Sequence, residues 1–259
     1  MRKYALDLRV RENISLNSNY FLLKLTSDER LPDAQPGQFV EVRVTGSSHT
    51  FLRRPISINY IDKDTNELWL LIQQIGDGTR QLATCKVGEK VNLLLPLGKG
   101  FTFPEKSDDM QLLLIGGGVG AAPLLFLGHE LKCAGYKPTF LLGAGNKEDL
   151  VLLSDFRQRG TLYVTTEDGS LGEKGYVTNH SILQDIKYDR IYTCGPKPMM
   201  FAIAQYASSH NISCEVSLEN MMACGIGACL CCVEMTKEGH KCVCTDGPVF
   251  DINELTWLS

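Results

Sequence analysis

"LLLIGGGVGAAP", residues Leu112–Pro123, joins an uncharged apolar run to four glycines and then to the start of a helical pattern. The apolar run predicts a buried strand, and "AAPLLFLGHELKCAG" after it predicts a helix. Gly117, Gly118 and Gly120 would allow a tight turn and the close approach of a pyrophosphate to the beginning of that helix. A glycine turn that serves tight packing alone is the alternative interpretation.

The same alternation of strands and helices continues through residues 102–218, which we predict to form the second domain. "KPTFLLGAG", "GTLYVTTEDG", "YDRIYTCGP" and "ISCEVSLE" are strand patterns, and "KPMMFAIAQYASSH" is helical. This order predicts a parallel sheet with helices on both faces. Cys194 and Gly195 end one strand, where open α/β sheets bind their ligands. A small side chain at Cys194 would leave room for a nicotinamide ring, although buried free cysteines are also common.

The end of the second strand of this domain carries no acid for binding a ribose. "FLLGAGNKEDL" offers only Gly145 and Asn146 there. The sequence therefore leaves NAD and NADP both open as the nucleotide.

Residues 1–101 have a different pattern of apolar and turn residues and form the first predicted domain. The short apolar stretches "YFLLKL", "QFVEVRV", "PISINY", "LWLLIQQI" and "KVNLLLPL" are separated by turn-rich segments such as "PDAQPG" and "DKDTNE". Strands this short and this evenly spaced predict a small antiparallel barrel or sandwich.

One strand of this domain, "RPIS", carries residues suited to a flavin. Arg54 supplies a cation and Ser57 a hydroxyl group, with Pro55 and Ile56 between them. If the next turn is centred between Asp64 and Thr65, Ser57 faces Ile72 and Ile56 faces Gln73. The segment Leu71, Ile72, Gln73 would then lie beside "RPIS" and give a flat ligand two adjacent strands.

"GDGTRQLATC" follows and suits an anion. Gly76 and Gly78 permit close backbone approach, and Thr79 is a candidate N-cap of a helix whose start could bind a pyrophosphate. An ordinary hairpin with a glycine turn is the alternative. Taken in order, these features resemble the ferredoxin reductase type of FAD-binding barrel, which precedes a nucleotide domain. The Cys-Gly-Pro segment at Cys194 is similar to the nicotinamide-pocket motif of that superfamily.

The third predicted segment, residues 219–259, holds six of the ten cysteines. Cys224, Cys229 and Cys232 have the spacing of plant-type [2Fe–2S] sites, which need a fourth, more distant cysteine. Gly225 and Gly227 would let the loop point N–H groups at the cluster sulfurs. Zinc is the alternative, although its sites use paired Cys-x2–4-Cys knuckles. A thioredoxin-like pair would need a βαβ setting that is absent here. Spacing does not choose between Cys242 and Cys244.

"MMACGIGACLCCVE" followed by "CTDGPVFD" resembles the electron-transfer subunit of dihydroorotate dehydrogenase B, and "RRPIS", "GDGT", "GGGVGAAPL", "EDGSLGEKGYVT" and "CGP" extend the resemblance along the chain. The resemblance implies that Cys244 is the fourth ligand and that Cys231 and Cys242 are spare. It implies FAD, a [2Fe–2S] cluster and NAD(H), and a partner subunit with FMN that oxidises dihydroorotate in pyrimidine biosynthesis, in a heterotetramer. Electrons would pass from FMN through the cluster and FAD to NAD, with no acid–base catalyst in this chain.

Composition excludes several other classes of protein. A net charge of −4 argues against nucleic-acid binding. The uncharged run 112–128 is interrupted by glycines and Pro123, which argues against a membrane span. Residues 1–10 lack the apolar core of an export signal, so we expect a cytoplasmic protein. The expected fold class is multidomain, with β and α/β domains. Two alternatives stay open: a similar subunit of a ferredoxin:NADP reductase, hydrogenase or sulfite reductase, and a zinc-stapled scaffold.

Overall fold

The first sheet of the computed structural model, which describes residues 2–105 and 109–258, is antiparallel and has seven strands. Its strand order is β4-β3-β7-β1-β2-β6-β5. The strands are β1 (Tyr4–Ser15), β2 (Tyr20–Thr26), β3 (Phe39–Val42), β4 (Arg54–Ser57), β5 (Tyr60–Asp62), β6 (Glu67–Gln73) and β7 (Lys90–Leu97). A short helix, α1 (Asp77–Leu82), connects β6 to β7. The predicted antiparallel domain is confirmed, although its longest strand, β1, was not among the predicted ones.

The register predicted for the hairpin around Asp64 and Thr65 is confirmed for β5, which pairs with β6, and is wrong for β4. Tyr60 pairs with Trp69, as the predicted register requires. Ser57 does not pair with Ile72, because β4 pairs with β3 instead and places Ser57 opposite Phe39. The chain changes partners between the two strands, since the Ile58 N–H donates to Gln38 and the Asn59 N–H donates to Trp69. Strand β4 still lies close to β6, because this crossing curls the sheet towards a barrel.

Alternation along β3 separates the interior of the barrel from its outer face. Val40 and Val42 belong to the apolar core of the barrel, together with Leu8, Leu23 and Leu93. Phe39 lies on the opposite face and packs in the core of the second sheet. The two domains therefore share a continuous apolar contact along β3.

The second sheet is parallel except at one edge, in the order β11-β10-β9-β8-β12-β13-β16. Its first six strands are β8 (Leu112–Gly117), β9 (Thr139–Ala144), β10 (Thr161–Thr166), β11 (Glu173–Lys174), β12 (Arg190–Cys194) and β13 (Ser213–Ser217). The helices between them are α2 (Ala122–Cys133), α3 (Leu153–Arg159), α4 (Ile182–Asp185) and α5 (Lys197–Ser209). The two helical patterns predicted from the sequence are α2 and α5.

Helices cover both faces of this sheet, as predicted. Leu113 and Ile115 of β8 point to one side and pack with Ile203 of α5. Leu112 and Leu114 alternate with them and pack on the other side with residues of α2. A strand buried on both faces accounts for the uncharged sequence of β8.

The C-terminal segment is joined to the second sheet. Strands β14 (Val233–Thr236) and β15 (Gly239–Cys242) form a separate hairpin, but β16 (Val249–Asp251) pairs antiparallel with β13. Residues of the predicted third domain thus complete the sheet of the second. The exact domain limits stay predictions; Met1, Ser259 and residues 106–108, near the predicted boundary between the first two domains, lie outside the described residues. Within the described ranges, no helix is long and apolar enough to span a bilayer.

Candidate functional site

The glycine turn after β8 and the end of β12 are in direct contact. A Cβ atom on Gly120 would lie 2.5 Å from the Cα of Gly195 and 2.6 Å from the carbonyl oxygen of Cys194. A Cβ atom on Gly117 would lie 2.6 Å from the sulfur of Met199. Only glycine fits these positions, so the structure brings together the two motifs that the sequence placed at neighbouring strand ends.

A cavity of about 460 Å³ opens beside this contact. Gly117 and Gly118 line it, together with residues that follow β9 and with Pro196 and Met199 after β12. Gly120, Cys194 and Gly195 do not line it and lie behind its wall. Cys194 is fully buried, and burial raises the pKa of its thiol. A buried neutral thiol of this kind is chemically inert.

Tyr20, Asp149 and Glu167 are polar residues of this cavity that the sequence analysis did not find. Tyr20 reaches it from the barrel, and burial raises the pKa of its hydroxyl group to about 12. Asp149 and Glu167 supply carboxylates, and Glu167 directly follows β10. The described residues that line the cavity include no lysine, arginine or histidine. The two carboxylates can accept hydrogen bonds from the hydroxyl groups of a ligand. Because no cation lies beside them in the described lining, they would repel an additional phosphate group on that ligand.

Arg54 and α1 form a second site on the barrel. A Cβ atom on Gly78 would lie 2.7 Å from Nε of Arg54, so glycine lets the guanidinium lie against the start of the helix. Arg54, Pro55, Ile56 and Ser57 are all half-buried and accessible to a ligand. This combination of a held cation and a glycine fits the phosphate groups of FAD.

The structure changes two predictions about this site, which concern the N-cap role of Thr79 and the side chains of Leu71 and Ile72. Thr79 is not the N-cap of α1, because the helix begins earlier, with Gly76 as the cap. The Thr79 hydroxyl group is instead bonded to the N–H of Gly76 at 3.1 Å and to its carbonyl at 3.0 Å. Leu71 and Ile72 are 2% and 1% exposed, respectively, and pack in apolar cores. Only their backbone and the half-buried Gln73 can therefore face a ligand.

The cysteine loop forms the third site. Residues 219–232 contain no helix or strand, and Gly225 and Gly227 have φ values of +67° and +84°. These left-handed turns direct N–H groups at sulfur: the Cys229 N–H donates to Sγ of Cys224 over 3.4 Å. Hydrogen bonds from the N–H groups of Ile226, Cys229 and Ala228 lower the pKa of the Cys224 thiol to about 6. The loop thus favours a thiolate, which is the form that binds iron.

The geometry distinguishes Cys244 from Cys242. Cys244 is buried, its N–H donates to Sγ of Cys232 over 3.3 Å, and the Gly227 N–H donates to its thiol. Cys242 lies at the end of β15, opposite Val233, and its N–H donates to Asp246. Cys231 is exposed. Cys224 and Cys229 are thus joined by one N–H···S hydrogen bond, and Cys232 and Cys244 by another.

The pairing of the cysteines fits a binuclear cluster. Each iron of a [2Fe–2S] cluster takes two cysteines, and the four cysteines form two neighbouring pairs. The donor set and the N–H groups around it therefore fit the cluster.

The barrel, the cavity at the ends of β8 and β12 and the cysteine loop together define a ferredoxin reductase-like flavoprotein that carries an iron–sulfur domain. A family model described as the oxidoreductase FAD-binding domain matches residues 5–101. A second, described as the iron–sulfur cluster binding domain of dihydroorotate dehydrogenase B, matches residues 219–256. The chain belongs to the family of the electron transfer subunits of dihydroorotate dehydrogenase B (NAD+), which confirms the resemblance and the fold class predicted from the sequence.

Curated relatives carry this family name over almost their whole length. The proteins of Shouchella clausii and Bacillus cereus are 40% and 41% identical, and each alignment covers 98% of this chain and 99% of the relative. The protein of Fusobacterium nucleatum is 35% identical over 94% of this chain and 95% of its own. This coverage includes all three sites described above.

Two solved structures have the same fold. An NADH-dependent reduced ferredoxin–NADP oxidoreductase is 29% identical, with a TM-score of 0.85 over 96% of this chain and 90% of that one. The cytochrome P450 reductase of Amycolatopsis is 22% identical, with a TM-score of 0.70 over 82% of this chain and 67% of that one. The second likeness concerns the fold alone.

Proposed function

We propose that this chain conducts electrons from an FMN-containing dihydroorotate dehydrogenase subunit, through a [2Fe–2S] cluster and FAD, to NAD+ in pyrimidine biosynthesis. The observation that carries the proposal is the arrangement of four cysteines in two pairs, each joined by an N–H···S hydrogen bond, within the segment that matches the iron–sulfur domain of this family. The curated relatives are named for the same role, whereas the other reductase complexes considered above have no such support.

A flavin accepts electrons one at a time from an iron–sulfur cluster and gives up two together as a hydride, which is the conversion that this pathway requires. The chain's own residues hold and orient the groups involved. Arg54, Ser57 and the start of α1 at Gly78 and Thr79 would bind FAD, with the edge of β6 beside them. Gly117 and Gly118 would bind the nucleotide, while Gly120, Cys194 and Gly195 shape the wall behind it.

The nucleotide is NAD rather than NADP in this proposal. Glu167 lies at the end of β10, beside β9, and it supplies the acid that the sequence lacked at the end of β9. A carboxylate can accept a hydrogen bond from a ribose hydroxyl group, and it would repel a 2′-phosphate. Asp149 in the same wall adds to that repulsion.

Cys224, Cys229, Cys232 and Cys244 are the proposed cluster ligands. The first and second precede residues in left-handed conformations, Gly225 and Leu230, and the fourth is buried against Cys232. Cys231 and Cys242 are not ligands in this proposal.

The catalytic subunit would bind on the side of the cysteine loop. Met221, Ile226, Leu230 and Met235 are large apolar side chains of this small domain that are exposed to solvent. Such a concentration of exposed apolar groups is typical of a protein interface. Binding here would bring the partner's FMN within reach of the cluster and complete the proposed heterotetramer. The ten free cysteines fit a reducing compartment, and we propose that the complex is cytoplasmic.

The test is co-purification with the FMN-containing catalytic subunit, followed by an assay of NAD+ reduction that depends on dihydroorotate. We expect the complex to reduce NAD+, and to contain FAD and two iron atoms per copy of this chain. The Cys229→Ser complex should lose NAD+ reduction, whereas the Cys231→Ser complex should retain it.

Two outcomes would reject the proposal in different ways. Purified protein without flavin or iron would favour the zinc-stapled scaffold. A coloured complex that reduces NAD+ only with another electron donor would assign the chain to a different oxidoreductase.

A further inference from the structure

Glu41, in the middle of β3, is a buried carboxyl group without a hydrogen-bond partner. Its exposure is 0%, and within the described residues neither Oε1 nor Oε2 has a donor. A buried polar group without a partner destabilises the folded protein. Because the carboxyl group does not stabilise the sheet, the explanation for it has to come from its surroundings.

The side chain of Glu41 points out of the barrel towards the cysteine loop. It alternates with Val40 and Val42, which face the barrel interior, and lies on the same side of β3 as Phe39. Phe39 packs in the apolar cluster that contains Cys232 and Cys244. The outer face of β3 is therefore the surface on which the iron–sulfur segment rests.

Glu41 lies against Gly225 of that segment. A Cβ atom on Gly225 would lie 2.5 Å from Cγ of Glu41 and 3.0 Å from its Oε1. Gly225 follows Cys224 and has a φ of +67°, so both its conformation and its contact require glycine. The carboxyl group thus lies directly against the backbone that positions the first cysteine.

Nearby cations do not neutralise this carboxyl group by direct bonds. Arg53 uses its guanidinium on the backbone carbonyls of Glu41 and Asn92 and on the Asn92 side chain. Arg54 lies against Gly78. Burial raises the pKa of Glu41 to about 7, against the opposing influence of the Arg53 charge.

Glu41 also lies between the two proposed cofactor sites. Its partner across the sheet is Pro55, in the middle of the flavin-binding strand. Arg54 and Cys224 both lie close enough to influence its charge.

We propose that Glu41 is a positioning residue of the iron–sulfur site, which supports the backbone after Cys224 from the barrel side and makes the cluster harder to reduce. The inference rests on the proposed ligand role of Cys224. A negative charge in a poorly solvated site opposes the addition of an electron to a nearby cluster, which lowers its reduction potential. Glu41 would thereby favour passage of electrons onward to FAD.

The test compares Glu41→Gln, Glu41→Asp and Glu238→Gln in the holoprotein. Glu41→Gln keeps the shape of the side chain and removes its charge, whereas Glu41→Asp keeps the charge. Glu238 is the matched control, because it is an exposed acid of the same segment whose side chain is 76% accessible. Iron content and the cluster potential are measured by an EPR-monitored redox titration at one pH above 7, where the Glu41 carboxyl group is ionised.

We expect Glu41→Gln to retain iron, to shift the cluster potential to a more positive value and to alter the EPR g values. Glu41→Asp should stay closer to the parent potential, and Glu238→Gln should overlay it. A Glu41→Gln potential equal to that of the parent would overturn the inference, as would an equal shift in Glu238→Gln. If Cys224→Ser kept the cluster, the ligand assignment itself would fail, whatever the Glu41 variants did.

Discussion

Two glycine-rich segments of this chain look alike in sequence and differ in what holds them. Gly117 and Gly120 lie at the end of β8 and in the turn before α2, against Met199 and Gly195 of the same domain. Gly225 and Gly227 lie in a segment without helix or strand, in left-handed conformations. In the first segment glycine makes room for the protein's own backbone, and in the second it turns N–H groups towards sulfur.

This difference separates a site that is built by the fold from one that depends on its ligand. The nucleotide cavity is bounded by strand ends that pack in a large core. The cysteine loop keeps Ile226 and Leu230 exposed, and Leu230 has a left-handed φ of +57°, which is unfavourable for a side chain of this type. Bound iron would supply the stability that packing does not.

The largest expected effect is at the fourth cysteine. Cys244→Ser should abolish the visible absorbance of the cluster, because the thiolate of the proposed fourth ligand, which is buried beside Cys232, would be lost. Cys242→Ser should leave the absorbance and iron content nearly unchanged, although its sulfur is only two residues away. Loss of the cluster in Cys242→Ser but not in Cys244→Ser would reverse the assignment.

Removal of iron by a chelator under reducing conditions tests the comparison directly. We expect limited proteolysis to cut the apoprotein between residues 219 and 232, because that segment contains no helix or strand to protect it. The second sheet should resist the protease as before, and the affinity for NADH should change less than twofold, which is under about 0.4 kcal/mol. Equal protection of the loop with and without iron would mean that packing alone holds it.

Gly120→Ala tests the segment that the fold holds. Its new methyl group would meet the backbone of Gly195 at 2.5 Å, and neither strand end can move easily. We expect a loss of about 1–3 kcal/mol in the free energy of unfolding, measured with urea. Gly145→Ala is the control, because a Cβ atom there has no neighbour within 4 Å. Equal stability of the two variants would show that the glycine turn is not held by this contact.

The sequence predicts best where the chemistry is local. The spacing of Cys224, Cys229 and Cys232 lies within one loop, and the two-faced burial of β8 is visible in its uncharged residues. Gly120 and Gly195 were each assigned to a strand end, but their contact depends on β8 and β12 being neighbours in the sheet. That order is a property of the whole domain and is not encoded in either motif.

The wrong predictions also arise from the order of strands in the sheets, which the local sequence does not contain. Ser57 was placed opposite Ile72 because a hairpin register was extended through Ile58, where the chain changes its partner strand. Glu167 was missed because the acid was sought after β9, whereas the neighbouring strand β10 supplies it. Choosing Cys244 over Cys242 required the family resemblance, since both cysteines fit the spacing.

The smallest expected effect concerns the choice of nucleotide. Glu167→Gln keeps a group that can bond a ribose hydroxyl but removes a negative charge from a cavity without cations among its described lining residues. We expect the preference for NADH over NADPH, measured as the ratio of kcat/KM in a dye-reduction assay, to fall about tenfold, which is about 1.4 kcal/mol. Most of this change should come from improved use of NADPH, because the lost charge repels only the 2′-phosphate. Glu148→Gln removes an exposed charge near Asp149 but outside the cavity lining, and it should leave the ratio unchanged. An unchanged ratio in Glu167→Gln would mean that the shape of the cavity, rather than its charge, excludes the phosphate.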